Sequence, residues 1–146
     1  MLLCQVGSLV CGLPLEEVSE TMRPLPVEPV AGMPLFVSGL SIVRGAPVPV
    51  VDLAMLLGDK SDAAKARWVV LKVRERKVAL SVQGVLGIRR LDDSSVSELP
   101  PLLRGARAEF VGGIGSLDAQ LLVVLESGRV LPNSVWAGLS DGGRQA

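Results

Sequence analysis

Apolar residues in this chain come in short runs that alternate with polar ones, and no run keeps a helical period for more than two turns. Period-two alternation bounded by Gly, Pro and Asn/Asp/Ser clusters is the signature of half-buried strands. It predicts a hairpin from 1–6 and 9–13 about Gly7-Ser8 and strands over 36–43 and 48–53. A second hairpin pairs 68–73 with 77–82, its tip charged by Arg74-Glu75-Arg76. A further strand covers 85–91, and a third hairpin joins 110–116 to 120–126 about Asp118-Ala119. Roughly nine short, closely spaced strands is the pattern of small closed or nearly closed β-barrels. The sequence shows no internal repeat.

Helical signals are brief. Asp52 precedes an i, i+3, i+4 stripe of Leu53, Leu56 and Leu57, and Gly58 follows where a left-handed C-cap would sit, so one or two capped turns are expected there. Pro14, Glu16, Glu17, Val18 and Met22 read as a short helix start or an irregular strand. Pro24, Pro26, Pro29 and Pro34 hold 24–34 as extended loop. Ser95 and Glu98 have capping-box spacing, but Pro100-Pro101 limits any helix there to a single turn. Residues 59–65 and 102–109 read as loops.

Composition narrows the functional classes. A chain of 146 residues is one ordinary domain or two small barrels sharing cores. At this size roughly 70% of the unfolded surface is buried on folding, so no covalent staple is needed. With two Phe, two Trp and no Tyr, the core must be built from Val and Leu. Fifteen basic and fifteen acidic residues cancel. Nucleic-acid binders show a basic excess or a basic face with interleaved aromatics, and neither stands out here, although Arg89-Arg90 and Arg104/Arg107 form small local clusters that read as solvated loop charges.

If Gly7-Ser8 is a two-residue turn, Cys4 falls directly opposite Cys11. That geometry permits a disulfide, but nothing in the first residues reads as an export signal, and a cytosolic pair stays reduced. Buried free thiols are therefore the expected state. Two thiols in a chain without His cannot close a tetrahedral zinc site. The uncharged stretch 1–15 lacks a basic n-region, is interrupted by Gln5, Gly7, Gly12 and Pro14, and is too short to span a bilayer. A soluble cytoplasmic protein is expected.

Chemistry is equally constrained. No His means no imidazole base to activate a hydroxyl or thiol. The close carboxylates Glu16/Glu17 and Asp92/Asp93 are sequence neighbours that point apart, and Asp52 is better explained as a helix cap. Gly112-Gly113-Ile114-Gly115 lacks phosphate-loop spacing and reads as room for strand curvature or a bulge. A non-enzyme without metal or cofactor is expected.

One segment carries a resemblance. Gly39-Leu40-Ser41-Ile42-Val43-Arg44-Gly45 followed by Pro49-Val50-Val51-Asp52-Leu53 resembles the signature of the CheW-like family of chemotaxis coupling proteins. That signature reads Gly-apolar-x-Asn-Leu-Arg-Gly, then Pro-apolar-apolar-Asp-Leu. Cys11-Gly12-Leu13-Pro14-Leu15, Val18-Ser19-Glu20, Leu80-Ser81-Val82-Gln83-Gly84-Val85 and Phe110–Gly115 leading into Leu121–Leu125 are similar to flanking family stretches and arrive in order, over roughly residues 3–130. The chain departs from the pattern at Ile42, Val43 and Gln83, where the family has Asn, Leu and Asp, and at Leu3 and Cys11, where it has aromatics.

The resemblance implies a mainly β fold of two intertwined five-stranded SH3-like barrels over residues 1–137, with a flexible polar tail at 138–146. It implies an adaptor without catalysis, bound to the cytoplasmic tip of a chemoreceptor and to the regulatory domain of a CheA-type histidine kinase. A modulator that binds one partner only is the alternative. A nucleic-acid-binding barrel of the oligonucleotide-binding type is a remoter one. Carried onto this sequence, the binding residues are Val18, Glu20, Leu40, Ile42, Arg44 and Val85. Val18 and Glu20, two apart, would share one face of a strand. Arg44 has a second reading, as a structural arginine whose fork bonds a carboxylate or loop carbonyls.

Overall fold

Strands account for nearly all the regular structure, as the alternation requires. The computed structural model describes residues 1–58, 66–90, 96–97, 111–117, 120–125 and 135–138. Its strands are β1 (Leu2–Val6), β2 (Leu9–Leu13), β3 (Val18–Met22), β4 (Val37–Val43), β5 (Ala46–Asp52), β6 (Arg67–Val73), β7 (Arg76–Val82), β8 (Gly84–Ile88), β9 (Val96–Ser97), β10 (Val111–Leu117) and β11 (Gln120–Leu125). They form one sheet in the order β8-β1-β2-β11-β10-β9 and another in the order β3-β6-β7-β5-β4. The first therefore has five substantial strands and the two-residue β9. It is assembled from both ends of the chain around a second sheet made from its middle.

The two sheets share one topology in circularly permuted form. Each joins two antiparallel hairpins through a single parallel pairing, β2 with β11 in the first and β7 with β5 in the second. Each adds one further antiparallel strand, β8 on β1 or β3 on β6. Even the irregularities correspond. The register slips between Val37 and Gly39 in β4 and between Val111 and Gly113 in β10, and again at Ser19 in β3 and Leu86 in β8. The repeat is invisible in the sequence because side-chain identity is constrained only to be apolar and to alternate.

The core follows from that alternation. Leu2, Cys4, Val6, Cys11, Leu13, Val51, Val69, Leu71, Val78, Leu80, Val82, Val123 and Leu125 pack between the sheets as a shared core with Leu53 and Leu56. The neighbours of those positions point the other way and fill two separate interiors. Leu3, Val10, Leu122 and Val124 line the first, and Val43, Val48, Val50, Trp68, Val70 and Ala79 the second. Central strands are thus buried on both faces, which explains why the apolar content is high while aromatics are scarce. Small β-branched side chains fit between layers where rings would not.

Local signals behave as chemistry dictates. Gly7 has φ 59, a left-handed residue at the first central position of the β1–β2 turn as a type II′ hairpin requires. The turn puts Cys4 directly opposite Cys11. Helix α1 (Leu53–Leu56) starts at Asp52, whose carboxylate accepts a hydrogen bond from the Met55 N–H at 3.1 Å, and ends before Gly58 at φ 81. Between Pro14 and β3 the structure has both readings of that stretch, a 3-10 turn over Leu15–Glu17 and then the strand.

Two expectations are corrected. Val96–Ser97 is a short strand on β10, where a helical turn was expected, because pairing with the sheet edge satisfies backbone groups that a single turn would leave open. Ser95, Glu98 and the prolines after them lie outside the described residues, as do the loops 59–65 and 102–109, the turn 118–119 and the tail 139–146. The second concerns Val18 and Glu20, whose alternation is interrupted by a register shift at Ser19.

Candidate protein-binding site

The β4–β5 hairpin carries the motif, and its tip sets the geometry. Arg44 and Gly45 have φ of 54 and 80, the two left-handed residues of a type I′ turn between Val43 and Ala46. A non-glycine residue in this region is uncommon. Here it throws the Arg44 side chain sideways off the end of the sheet, towards β3 at the opposite edge.

The guanidinium meets Glu20 on β3 through both carboxylate oxygens. Arg44 Nη2 donates to Glu20 Oε1 at 3.0 Å and Arg44 Nε to Oε2 at 3.2 Å. Since β3 and β4 are the two edges of the five-stranded sheet, the pair shows that the sheet curls until its edges meet. The Arg44 side chain is 74% exposed and that of Glu20 23%, so the bond sits at a wet rim. The hydrogen bond from Arg44 holds the Glu20 carboxyl below its ordinary value, with the charge of Arg44 and, more weakly, of Lys77 acting the same way. This is the contact expected of a structural arginine whose fork bonds a carboxylate.

Register decides which face each candidate takes. Val18 pairs with Leu71, but Ser19 is skipped and Glu20 pairs with Val70. Directly paired residues point to the same side. Val18 therefore faces the shared core with Leu71, and Glu20 faces the second interior with Val70. The two do not share a face, contrary to their spacing, because the bulge shifts the alternation by one.

On β4, Leu40 packs against the shared core and Ile42, on the same face, runs past it into solvent at 63% exposure. Val85 stands in the other sheet on β8, paired with Cys4 and 36% exposed, also on the shared-core side. It occupies the register position that Val18 holds in its own sheet, one residue before the bulge. So Val18, Leu40, Ile42 and Val85 belong to the facing sides of the two sheets, whereas Glu20 and Arg44 are brought together at the mouth of the second interior.

The proline-rich loop protects this hairpin. Leu40 exchanges two backbone hydrogen bonds with Glu28, at 2.8 and 2.9 Å, and Ser41 Oγ donates to the Pro26 carbonyl at 2.8 Å. The loop thereby covers the β4 edge, which would otherwise offer unpaired backbone to other chains. Gly39, at φ 145, lets the Glu28 backbone approach where a Cβ would collide with it.

Sequence reasoning missed Lys77, whose charge reaches Glu20, and its opposite number Lys72. The signal was present, since a two-residue turn at Arg74-Glu75 sets Lys72 against Lys77 as Gly7-Ser8 sets Cys4 against Cys11. Both cysteines are free and buried. Burial pushes the Cys4 thiol up to about 12 and raises that of Cys11 as well, so neither is an activated nucleophile. Among the described residues no group of three or more His, Cys, Asp or Glu is placed to hold a metal ion, and no helix is long and apolar enough to cross a membrane.

The model of the CheW-like domain matches residues 1–134. Protein FrzA of Myxococcus xanthus is 33% identical over 113 residues, covering 75% of this chain and 69% of that one. Chemotaxis protein CheW of Rhizobium meliloti (strain 1021) is 27% identical over 110 residues, with coverage of 74% and 71%. Among solved structures, the scaffolding protein TtCheW from Thermoanaerobacter tengcongensis superposes with a TM-score of 0.73 at 24% identity, over 86% of each chain. That likeness extends to the two-barrel fold.

Proposed function

The chain belongs to the CheW-like family of chemotaxis coupling proteins, and on that premise we propose that it is a non-catalytic adaptor joining the cytoplasmic tip of a chemoreceptor to the regulatory domain of a CheA-type histidine kinase. It acts in the cytoplasm as one domain over residues 1–137, through Val18, Glu20, Leu40, Ile42, Arg44 and Val85. The observation that carries this reading is the Glu20–Arg44 pair, because two motif residues far apart in sequence meet at an exposed rim, while Ile42 stands uncovered on the shared-core face of the same hairpin. Apolar area flanked by charge suits an amphipathic helical hairpin, whose side chains supply contact while a carboxylate and a guanidinium set register.

Coupling here is thermodynamic. An adaptor bound to both partners passes on only the difference in its affinity for their signalling states, typically about 1–3 kcal/mol. Many such contacts in an array then act through effective concentration. Co-sedimentation with receptor-bearing membranes and kinase tests the proposal. A ternary complex that Arg44→Ala or Glu20→Ala weakens supports it. Failure to recruit either partner overturns it, and recruitment of one alone favours the modulator reading suggested by Ile42 and Gln83 at the family's Asn and Asp positions.

A further inference from the structure

The β6–β7 hairpin ends in Lys72-Val73-Arg74-Glu75-Arg76-Lys77, and its register sets Lys72 directly against Lys77. Like charges in that relation destabilise a hairpin, so fold stability does not account for them. Both project on the face that holds Val70 and Ala79, the second interior, which is the side of Glu20. The charge of Lys77 acts on Glu20, and Arg44 arrives at the same mouth from the opposite sheet edge. Glu20 is engaged by Arg44 through both oxygens. That leaves Glu75, at the turn, as the carboxylate nearest in sequence to Lys72, Arg74 and Lys77. Arg76 turns away to lie over the Trp136 ring, 5.1 Å from its centroid.

The mouth of the second barrel is therefore cationic on a chain whose charges sum to zero, and the exposed apolar Ile42 stands two residues before Arg44, on the shared-core face of β4. Neither tryptophan offers a stacking platform for bases there, since Trp68 is buried and Trp136 packs on the shared core under Arg76. An apolar anchor with a charged rim is the anatomy of a protein interface.

From Arg44, Lys72, Arg74 and Lys77 around one barrel mouth, we propose that this rim is an electrostatic docking surface for an acidic face of the receptor's helical tip. The inference deepens the coupling reading and rests on it. Cations at an interface rim act mainly on encounter, so the surface steers association and leaves dissociation to the apolar contacts.

The test is stopped-flow association with a soluble receptor fragment containing the tip, over a range of ionic strength. Lys72→Glu is the informative variant, because its new carboxylate faces Lys77 and supports the hairpin while it discharges the rim. The melting temperature is expected to hold or rise, and the association rate constant at low salt to fall about tenfold. Adding Arg74→Glu should lower it further and flatten the salt dependence. Arg67→Glu, at the far end of β6, should change neither. Equal rates for Lys72→Glu and the unaltered protein at every ionic strength overturn the docking surface while coupling stands. So does loss of binding to anionic vesicles or single-stranded DNA with receptor association untouched. If the unaltered protein captures neither receptor nor kinase, the coupling reading fails and this inference falls with it.

Discussion

Arg44 and Glu20 lie at opposite edges of one five-stranded sheet, yet their side chains make a bidentate pair at 3.0 and 3.2 Å. The contact closes the second barrel at its rim and fixes the direction in which the left-handed Arg44 turn points.

A charge swap isolates that pair. Glu20→Arg and Arg44→Glu should each reduce receptor capture about tenfold, the size of one hot-spot contact. The double variant should recover most of it, with Lys77 next to the transplanted arginine preventing full recovery. Pull-down of receptor fragments across the cycle measures this, and additive losses would exclude a direct partnership. Because the Glu20 carboxyl is held below its ordinary value of 4.5, the contribution of the pair is complete above that pH. It is lost as pH falls through the lowered value. Acid unfolding of Glu20→Gln should lack this component.

Gly39→Ala should be severely destabilising, by about 3 kcal/mol or more, because φ 145 is foreign to residues with a Cβ and the added methyl would collide with the Glu28 backbone. Urea unfolding gives the value. A loss under half that would mean that the 26–29 loop moves aside easily. Increased aggregation is expected as well, since the loop shields the β4 edge.

Asp52→Ala should cost about 1 kcal/mol through loss of the α1 cap, and Asp52→Asn should cost less because its side-chain oxygen still accepts from Met55. Thermal melts of the two variants would reveal an Asn variant as damaging as Ala, and with it a role for the charge beyond capping.

The thiols make an alkaline prediction. Cys4 is raised from 9.0 to about 12 and Cys11 is raised too, both by burial, so the folded state keeps its protons longer than the unfolded chain. Their contribution is whole below pH 9 and is lost as pH rises beyond it, by up to about 1.4 kcal/mol per pH unit for each thiol. Unfolding midpoints from pH 8 to 10.5 should fall less steeply for Cys11→Val. A thiol reagent should label neither cysteine until urea opens the protein, and fast native labelling would contradict their burial.

Sequence alone determined what depends on near neighbours. Gly7-Ser8 dictated the Cys4–Cys11 register, Asp52 and Gly58 bounded α1, and alternation marked the strands and their apolar faces, because turn geometry, capping and the pleat each act within a few residues. The family motif from Gly39 to Leu53 was legible for the same reason.

Only the tertiary structure decided the rest. A bulge at Ser19 separated Val18 from Glu20, and sheet closure brought Glu20 to Arg44. Circular permutation gave Val18 and Val85 corresponding places in different sheets. Each outcome depends on which distant strands pair and in what register. That choice is settled by packing two apolar layers against each other, and a single strand carries no record of its partner.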